Sequence, residues 1–356
     1  MPCLIPLDGS LGEGGGQILR AALTLAAATG QGFLASKIRA GRTRHGLRPQ
    51  HVAAVRAAAM ACGAKVSGVF EGSPELRFEP GDRSAGRFHF EIGTAGSATL
   101  VLQTIVPALA LAEEASQIEI AGGTHVPKSP SADYLCRHWV AAVARLGMHV
   151  EACVRRVGFH PKGGGELAAR VSGWTRPTAP LLLEERGALL GVSIVSGAPR
   201  VRGGIAERQA EAARARLWEE RRLEPAIVIG GPDAAAPGSY LFVEAAFENG
   251  RAAFGLLGEK GLRAERLGER AARRLLKFLD GTGAVDAHLA DQLAVPLALS
   301  GTGGRLSTNE VTAHLETVAG VLRAFGVPAE VWGRRGGPGG LSVGSVDPRR
   351  EPRLAL

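Results

Sequence analysis

Arg145-Leu146-Gly147-Met148-His149-Val150 ends an amphipathic run on a glycine and turns at once into a short strand pattern. Glycine enters the left-handed region at little cost, so Gly147 reads as the residue that stops a helix. The same step occurs at Ala61-Cys62-Gly63-Ala64-Lys65-Val66 and at Ala324-Phe325-Gly326-Val327, which runs on to Glu330-Val331. Each copy follows a helix-start signal: Arg48-Pro49-Gln50, Ser129-Pro130-Ser131 and Ser307-Thr308-Asn309-Glu310. The last has the Ser-x-x-Glu form of a capping box. A second helical pattern lies upstream of each copy, at 16–28, 96–112 and about 284–299. The chain therefore reads as an α+β fold whose core is three βαβαββ repeats.

The repeats are unevenly spaced. Gly63 and Gly147 are 84 residues apart, whereas Gly147 and Gly326 are 179 apart. The excess of 95 residues predicts one small domain inserted in the third repeat. The sequence changes character over 185–279, with strand patterns at 189–195, 226–229, 240–247 and 252–257. Charged helix patterns at 206–222 and 261–279 complete this α+β insertion. Residues 1–184 then hold repeats one and two and the start of three, 280–346 hold the remainder of three, and 347–356 read as a disordered tail.

Composition narrows the class. Of 356 residues, 45% are hydrophobic and 21% charged, as in ordinary globular proteins, but 50 are glycine, about twice the usual share. A net charge of +8 favours a polyanionic partner. Cysteines at 3, 62, 136 and 153 form neither a zinc spacing nor a disulfide scaffold, and Cys62 falls in a helical pattern as a core residue. No charged-then-apolar leader opens the chain, and the apolar run around 98–112 is too short to span a bilayer. The expectation is a cytoplasmic protein with no membrane partner.

The glycines concentrate where chemistry is expected. Leu7-Asp8-Gly9-Ser10-Leu11-Gly12-Glu13-Gly14-Gly15-Gly16-Gln17-Ile18-Leu19-Arg20 joins a short strand to a helix. Such a bare backbone can bring its N–H groups and a helix start close to an anion. Glu13 fits that setting if a divalent metal lies between its carboxylate and phosphates. This is neither a Walker loop nor a dinucleotide fingerprint. Arg39, Arg42, Arg44, His45 and Arg48 crowd one loop, and arginine forks match phosphate oxygens two at a time. Gly93-Thr94-Ala95-Gly96-Ser97 forms a second such turn, followed by Gln103 on an otherwise apolar helix. The glycine loops at 122–127 and 161–165 read as tight turns that line a cleft, and His314 takes a boundary position on the last long helix.

Gly12-Glu13-Gly14-Gly15-Gly16-Gln17-Ile18-Leu19-Arg20, Arg39-Ala40-Gly41-Arg42, Gly46-Leu47, Gln50-His51, His288-Leu289-Ala290-Asp291-Gln292 and Thr312-Ala313-His314 together resemble the motifs of the RNA 3'-terminal phosphate cyclases. The resemblance covers nearly the whole chain. It implies three repeats related to the C-terminal domain of a bacterial initiation factor, plus one inserted domain. It also implies ATP-dependent conversion of an RNA 3'-terminal phosphate to a 2',3'-cyclic phosphate. In that reading His314 becomes adenylylated, while Gln103 and His288, Leu289, Ala290, Asp291 and Gln292 lie along ATP. Arg20, Arg39, Arg42 and Gln50 hold phosphates or the RNA end, and Glu13 and Asp291 lie near a divalent magnesium or manganese ion. The family carries tyrosine where this chain has His288, whose imidazole offers less stacking area to adenine. Two other classes stay open: a non-catalytic cyclase-like RNA-binding protein of ribosome biogenesis, and an enolpyruvyl transferase relative.

Overall fold

The computed structural model describes residues 4–12 and 14–346; Cys3, Glu13 and the tail expected at 347–356 lie outside the described residues. The chain opens with β1 (Ile5–Asp8), α1 (Gly16–Thr29), β2 (Phe33–Ser36), α2 (Pro49–Ala61), β3 (Lys65–Ser67) and β4 (Leu76–Glu79). Their strands form a sheet of order β1-β2-β4-β3, with β1 and β2 parallel and the other pairs antiparallel. A parallel pair needs a crossover, and α1 supplies it.

Next come β5 (Arg87–Glu91), α3 (Ala98–Ala110), β6 (Ser116–Gly122), a π-helical stretch Tyr134–Trp139 continuing into α4 (Val140–Ala144), β7 (Met148–Arg156) and β8 (Gly165–Trp174). Their sheet has the order β5-β6-β8-β7, again with only the first pair parallel. After β9 (Leu181–Leu183) the chain leaves this pattern for β10 (Leu189–Gly197), α5 (Ile205–Arg221), β11 (Ala226–Ile229), β12 (Tyr240–Phe247), β13 (Arg251–Leu257) and α6 (Ala264–Leu279). These strands pair as β11-β10-β12-β13. The chain then returns through α7 (Ala287–Leu299), β14 (Gly304–Thr308), α8 (Ala313–Ala324), β15 (Ala329–Gly333) and β16 (Gly339–Val343). Read from β9, the last sheet runs β9-β14-β16-β15, with β9 and β14 parallel.

One apolar core runs from Leu7 to Val343, and α1, α3, α7 and α8 pack against one another within it. Cys62 is part of this core. A separate core from Val192 to Phe278 belongs to the β10–β13 sheet and its helices. A third cluster, including Tyr134, Phe159, Tyr240 and Ala253, seals the joint between the two. Gly147 is left-handed with φ 80°, and a Cβ there would lie 1.7 Å from the Thr175 carbonyl oxygen, so no other residue fits.

The start of α8 differs from the sequence expectation. Ser307 and Thr308 do not cap a helix; they belong to β14, opposite Gly340 and Gly339 of β16. The cap is Thr312, whose hydroxyl accepts from the Leu315 N–H at 3.1 Å. Sheet pairing claims the Ser-Thr pair first, and the helix can begin only after the bend that follows.

Candidate functional site

Four helices begin at one place. The first two turns of α1 (Gly16, Gln17, Arg20), α2 (Gln50, His51), α7 (His288, Asp291, Gln292) and α8 (His314) all line a cleft of 840 Å³. Each helix start carries partial positive charge on N–H groups without intrahelical partners, so together they favour an anion.

At α1 the cap is Gly15, which offers no side chain to its own helix. A Cβ built at Gly16 would lie 2.3 Å from His51 Nε2 and 2.9 Å from Arg20 Nη1, and one at Gly15 would lie 3.2 Å from Arg42 Nη2. The bare backbone is what lets these side chains close over the helix start. Gly12 makes a similar approach to α8, where a Cβ would meet Thr317 Oγ1 at 2.1 Å. The glycine loop is therefore seated against the helix that carries His314.

Arg20 reaches Gln17 Oε1 at 2.6 Å. Burial pushes its guanidinium down to about 10, against the pull of the Asp291 carboxylate. Arg39 holds a left-handed backbone with φ 56°, a costly state for a side-chain-bearing residue. Its Nη1 is buried with no hydrogen-bond partner among the described residues. Burial, then Arg48 and Arg42, lower its pKa. Nearby, His51 Nδ1 accepts from the Arg48 backbone N–H at 3.0 Å, so the ring proton sits on Nε2. Burial, followed by Arg20, Arg39 and Arg48, drives this imidazole down to about 3. Burial contributes most, and the three guanidiniums add a positive field that a polyanion would offset.

Two amides brace the opposite wall. Gln103 Nε2 donates to Gln292 Oε1 at 2.6 Å, joining α3 to α7, and Gln50 Oε1 accepts from the Ser97 N–H at 3.3 Å. Behind α7 lies a buried polar cluster. Asp286 caps the helix by accepting from the N–H groups of His288 and Leu289 at 3.0 and 3.1 Å. It also accepts from Tyr134 Oη at 2.9 Å and the Ala253 N–H at 3.2 Å. His138 joins Asp286 to Glu244 of β12, and Arg251 of β13 pairs with Glu244.

Arg20, Arg39, Arg42, Gln50, Gln103, His288, Asp291, Gln292 and His314 all line the cleft. Leu289 and Ala290 do not; both are buried in the main core. Helical period explains this, since 288, 291, 292 and 295 share one face while 289 and 290 point away. The loops at 122–127 and 161–165 stay out of the cleft wall, which is formed instead by Lys128 to Ser131. His125 turns toward the β10–β13 unit, pairing with Asp133 at 2.8 Å and packing on Tyr240. Arg44 and His45 are exposed and do not reach the cleft.

Arg48, His51, Lys128, Tyr134, Phe254 and Arg274 complete the wall. Arg48 and His51 carry a legible signal, since they flank Gln50 at a proline-marked helix start. Phe254 and Arg274 carry none, because they arrive only when α6 and β13 dock beside α7. Lys128 shares with Arg39 a left-handed backbone, with φ 62°. Asp291 is the one carboxylate among the described residues that line the cleft.

Comparison with known proteins identifies the family. A sequence profile of the family described as RNA 3'-terminal phosphate cyclase matches residues 11–330. The chain is 44% identical over 330 residues to the RNA 3'-terminal phosphate cyclase of Ralstonia nicotianae, covering 91% of this chain and 92% of that one. It is 43% identical over 326 residues to the protein of that name from Pseudomonas fluorescens (90% and 92% covered), and 41% over 334 residues to that of Methylococcus capsulatus (91% of each). A profile match over residues 11–330 and identities of 41–44% over nine-tenths of the chain make it a member of the RNA 3'-terminal phosphate cyclase family.

Proposed function

We propose that the protein uses ATP to convert the 3'-terminal phosphate of RNA to a 2',3'-cyclic phosphate, with His314 as nucleophile. The observation that carries this reading is the convergence of four helix starts and the Arg20, Arg39, Arg42 and Arg48 side chains on a cleft that also holds His314. His314 stands in the first turn of α8, half-buried, where a nitrogen lone pair can reach a bound triphosphate. It forms a bond to the α-phosphorus as the bond to pyrophosphate breaks. A terminal RNA phosphate oxygen then takes the adenylyl group as the phosphorus–nitrogen bond breaks. Finally the 2'-hydroxyl attacks the 3'-phosphorus, loses its proton and expels AMP. The closing step needs positioning more than an enzyme nucleophile.

Arg39, with its unsatisfied buried Nη1, together with Arg42 and Arg20, holds phosphate oxygens, while Gln103, His288 and Gln292 line the nucleoside end. The donor set suits a magnesium or manganese ion held chiefly by the triphosphate, with Asp291 as a protein carboxylate and Glu13 as the second expected ligand. When bound, such an ion offsets charge on the phosphates.

The sheet orders support the finer fold reading as well. Three sheets share the order first-second-fourth-third with one parallel pair. We read them as three copies of one βαβαββ unit, with 185–279 inserted between β9 and α7.

Incubation with ATP labelled at the α-phosphate tests the activity. Label is expected on His314, labile to acid and stable to alkali, and absent from His314→Ala. Label on a lysine, or full label in the alanine variant, would end this reading.

A further inference from the structure

The inserted unit has two helices of similar length, of which α5 is charge-balanced and α6 is basic. On α5, Arg208, Arg214, Arg216 and Arg221 are each matched, to Glu265, Glu211, Glu220 and Asp280. On α6 the outward face is basic throughout. Arg263, just before its first turn, and Arg266, Arg270, Arg273, Arg274 and Lys277 fall within an arc of roughly 100° at helical period. The buried face, with Leu267, Ala271 and Leu275, lies on the other side. Glu265 pairs with Arg263 at 3.7 Å and Glu269 is shared between Arg266 and Arg273 at 3.3 and 3.2 Å, whereas Arg270, Arg274 and Lys277 have no ion pair among the described residues.

This stripe does not end in open solvent. Arg274 lines the cleft together with Phe254 and Gly255. The basic face thus runs for about 21 Å, at 1.5 Å per residue, and opens into the cavity that holds His314. A solvated helix face needs only mixed charge. A single-sign stripe feeding a site is an electrostatic track for a polyanion.

We infer that α6 binds the body of the RNA substrate, guiding the strand upstream of its 3' end so that the terminal phosphate enters the cleft past Arg274. The inference rests on the RNA-end reading above, and it gives the inserted unit a role in substrate binding rather than in the chemistry. Backbone phosphates are its ligands, so recognition is independent of base sequence.

Binding without ATP isolates the track. Two 3'-phosphorylated RNAs are compared, one of about 3 nucleotides and one of about 12, the latter long enough to leave the cleft. Wild type is expected to bind the longer RNA at least tenfold more tightly. In the double variant Arg270→Gln, Lys277→Gln, affinity for the longer RNA should fall by about tenfold, and by more than for the shorter one. Its slope of log affinity against log salt should shrink by about 1.4, two phosphate contacts at 0.7 each. The charge-preserving pair Arg270→Lys, Lys277→Arg should restore both. Equal loss on the two RNAs, an unchanged salt slope, or a wild type indifferent to length would overturn the inference. A protein that binds the longer RNA through these residues yet forms no cyclic end would sink the proposed reaction and leave the track standing.

Discussion

His138 Nε2 lies 2.8 Å from Asp286 Oδ2, and both residues are buried almost completely. The other ring nitrogen faces Glu244 Oε1 at 2.9 Å. Two acceptor-only neighbours require both nitrogens to carry protons, so the ring is an imidazolium. Burial works against that charge, but the hydrogen bonds that His138 donates to Asp286 and Glu244 outweigh it and raise its pKa. The same contacts hold Asp286 and Glu244 low despite the opposing effect of their burial. Asp286 is also the cap of α7, so the charge on His138 helps fix the helix that brings His288, Asp291 and Gln292 to the cleft.

Replacing His138 should be costly. His138→Phe removes the cation and leaves the buried Asp286 carboxylate without its charge partner, a loss of about 3–5 kcal/mol by the usual cost of breaking a buried pair. Urea unfolding measures it. The sign with pH follows from the directions of the shifts. The His138 contribution is complete below its ordinary 6.5 and is lost as pH rises through the raised folded value. The Asp286 contribution is complete above 3.8 and is lost as pH falls through the lowered one. A variant as stable as wild type at neutral pH would show that the cluster does not hold the helix.

His51 controls a different part of the pH profile. It is neutral in the folded protein down to about pH 3 but takes a proton near 6.5 when unfolded. Its stabilising contribution is therefore whole above 6.5 and drains as pH falls, at up to about 1.4 kcal/mol per unit. Between about pH 6 and 5 the slope of unfolding free energy should be markedly shallower in His51→Gln than in wild type. Parallel curves would place the acid sensitivity elsewhere.

Within the basic loop, position matters more than charge. Arg39→Ala and Arg42→Ala should each weaken ATP-dependent self-labelling by roughly 10- to 100-fold, the scale of a lost charge-assisted hydrogen bond of about 1.5–3 kcal/mol. Arg44→Ala should change it less than twofold, since Arg44 is exposed and outside the cleft wall. Lysine at 39 should rescue poorly because it lacks the planar fork. Equal effects at all three positions would reduce the loop to a general field.

At position 288 an improvement is expected. His288 is exposed and lines the cleft, and its backbone N–H donates to Asp286 at 3.0 Å. His288→Tyr should tighten ATP binding by about 0.5–1.5 kcal/mol through added stacking area. Calorimetry with ATP reads this directly, and weaker binding would reveal a polar task for the imidazole.

Much of the architecture is legible in the sequence. The helix expected at 206–222 runs Ile205–Arg221, and the strands expected at 226–229 and 240–247 have those limits. Glycine punctuation and helical period are local signals, and such elements follow from local signals. Within the run 288–292 the helical period sends His288, Asp291 and Gln292 to the cleft and Leu289 and Ala290 to the core, a split that a contiguous motif does not display. The cap of α8 was missed because the claim of β16 on Ser307 and Thr308 is made by residues more than thirty positions away. The His138–Asp286–Glu244 cluster was invisible for the same reason, being spread across 106 and 148 residues of chain separation.

The walls of the cleft begin at Gly15 and end at His314. During synthesis, then, Arg20, Arg39 and Arg42, the side chains proposed to hold phosphate, are made long before the proposed nucleophile, and α8 is held in place only once β15 and β16 have followed. A ribosome-bound or truncated chain that stops short of α8 would own the anion pocket without the group that reacts in it. Such fragments should capture ATP at most and never become adenylylated, so the order of residues along the chain defers the chemistry until the fold is nearly whole.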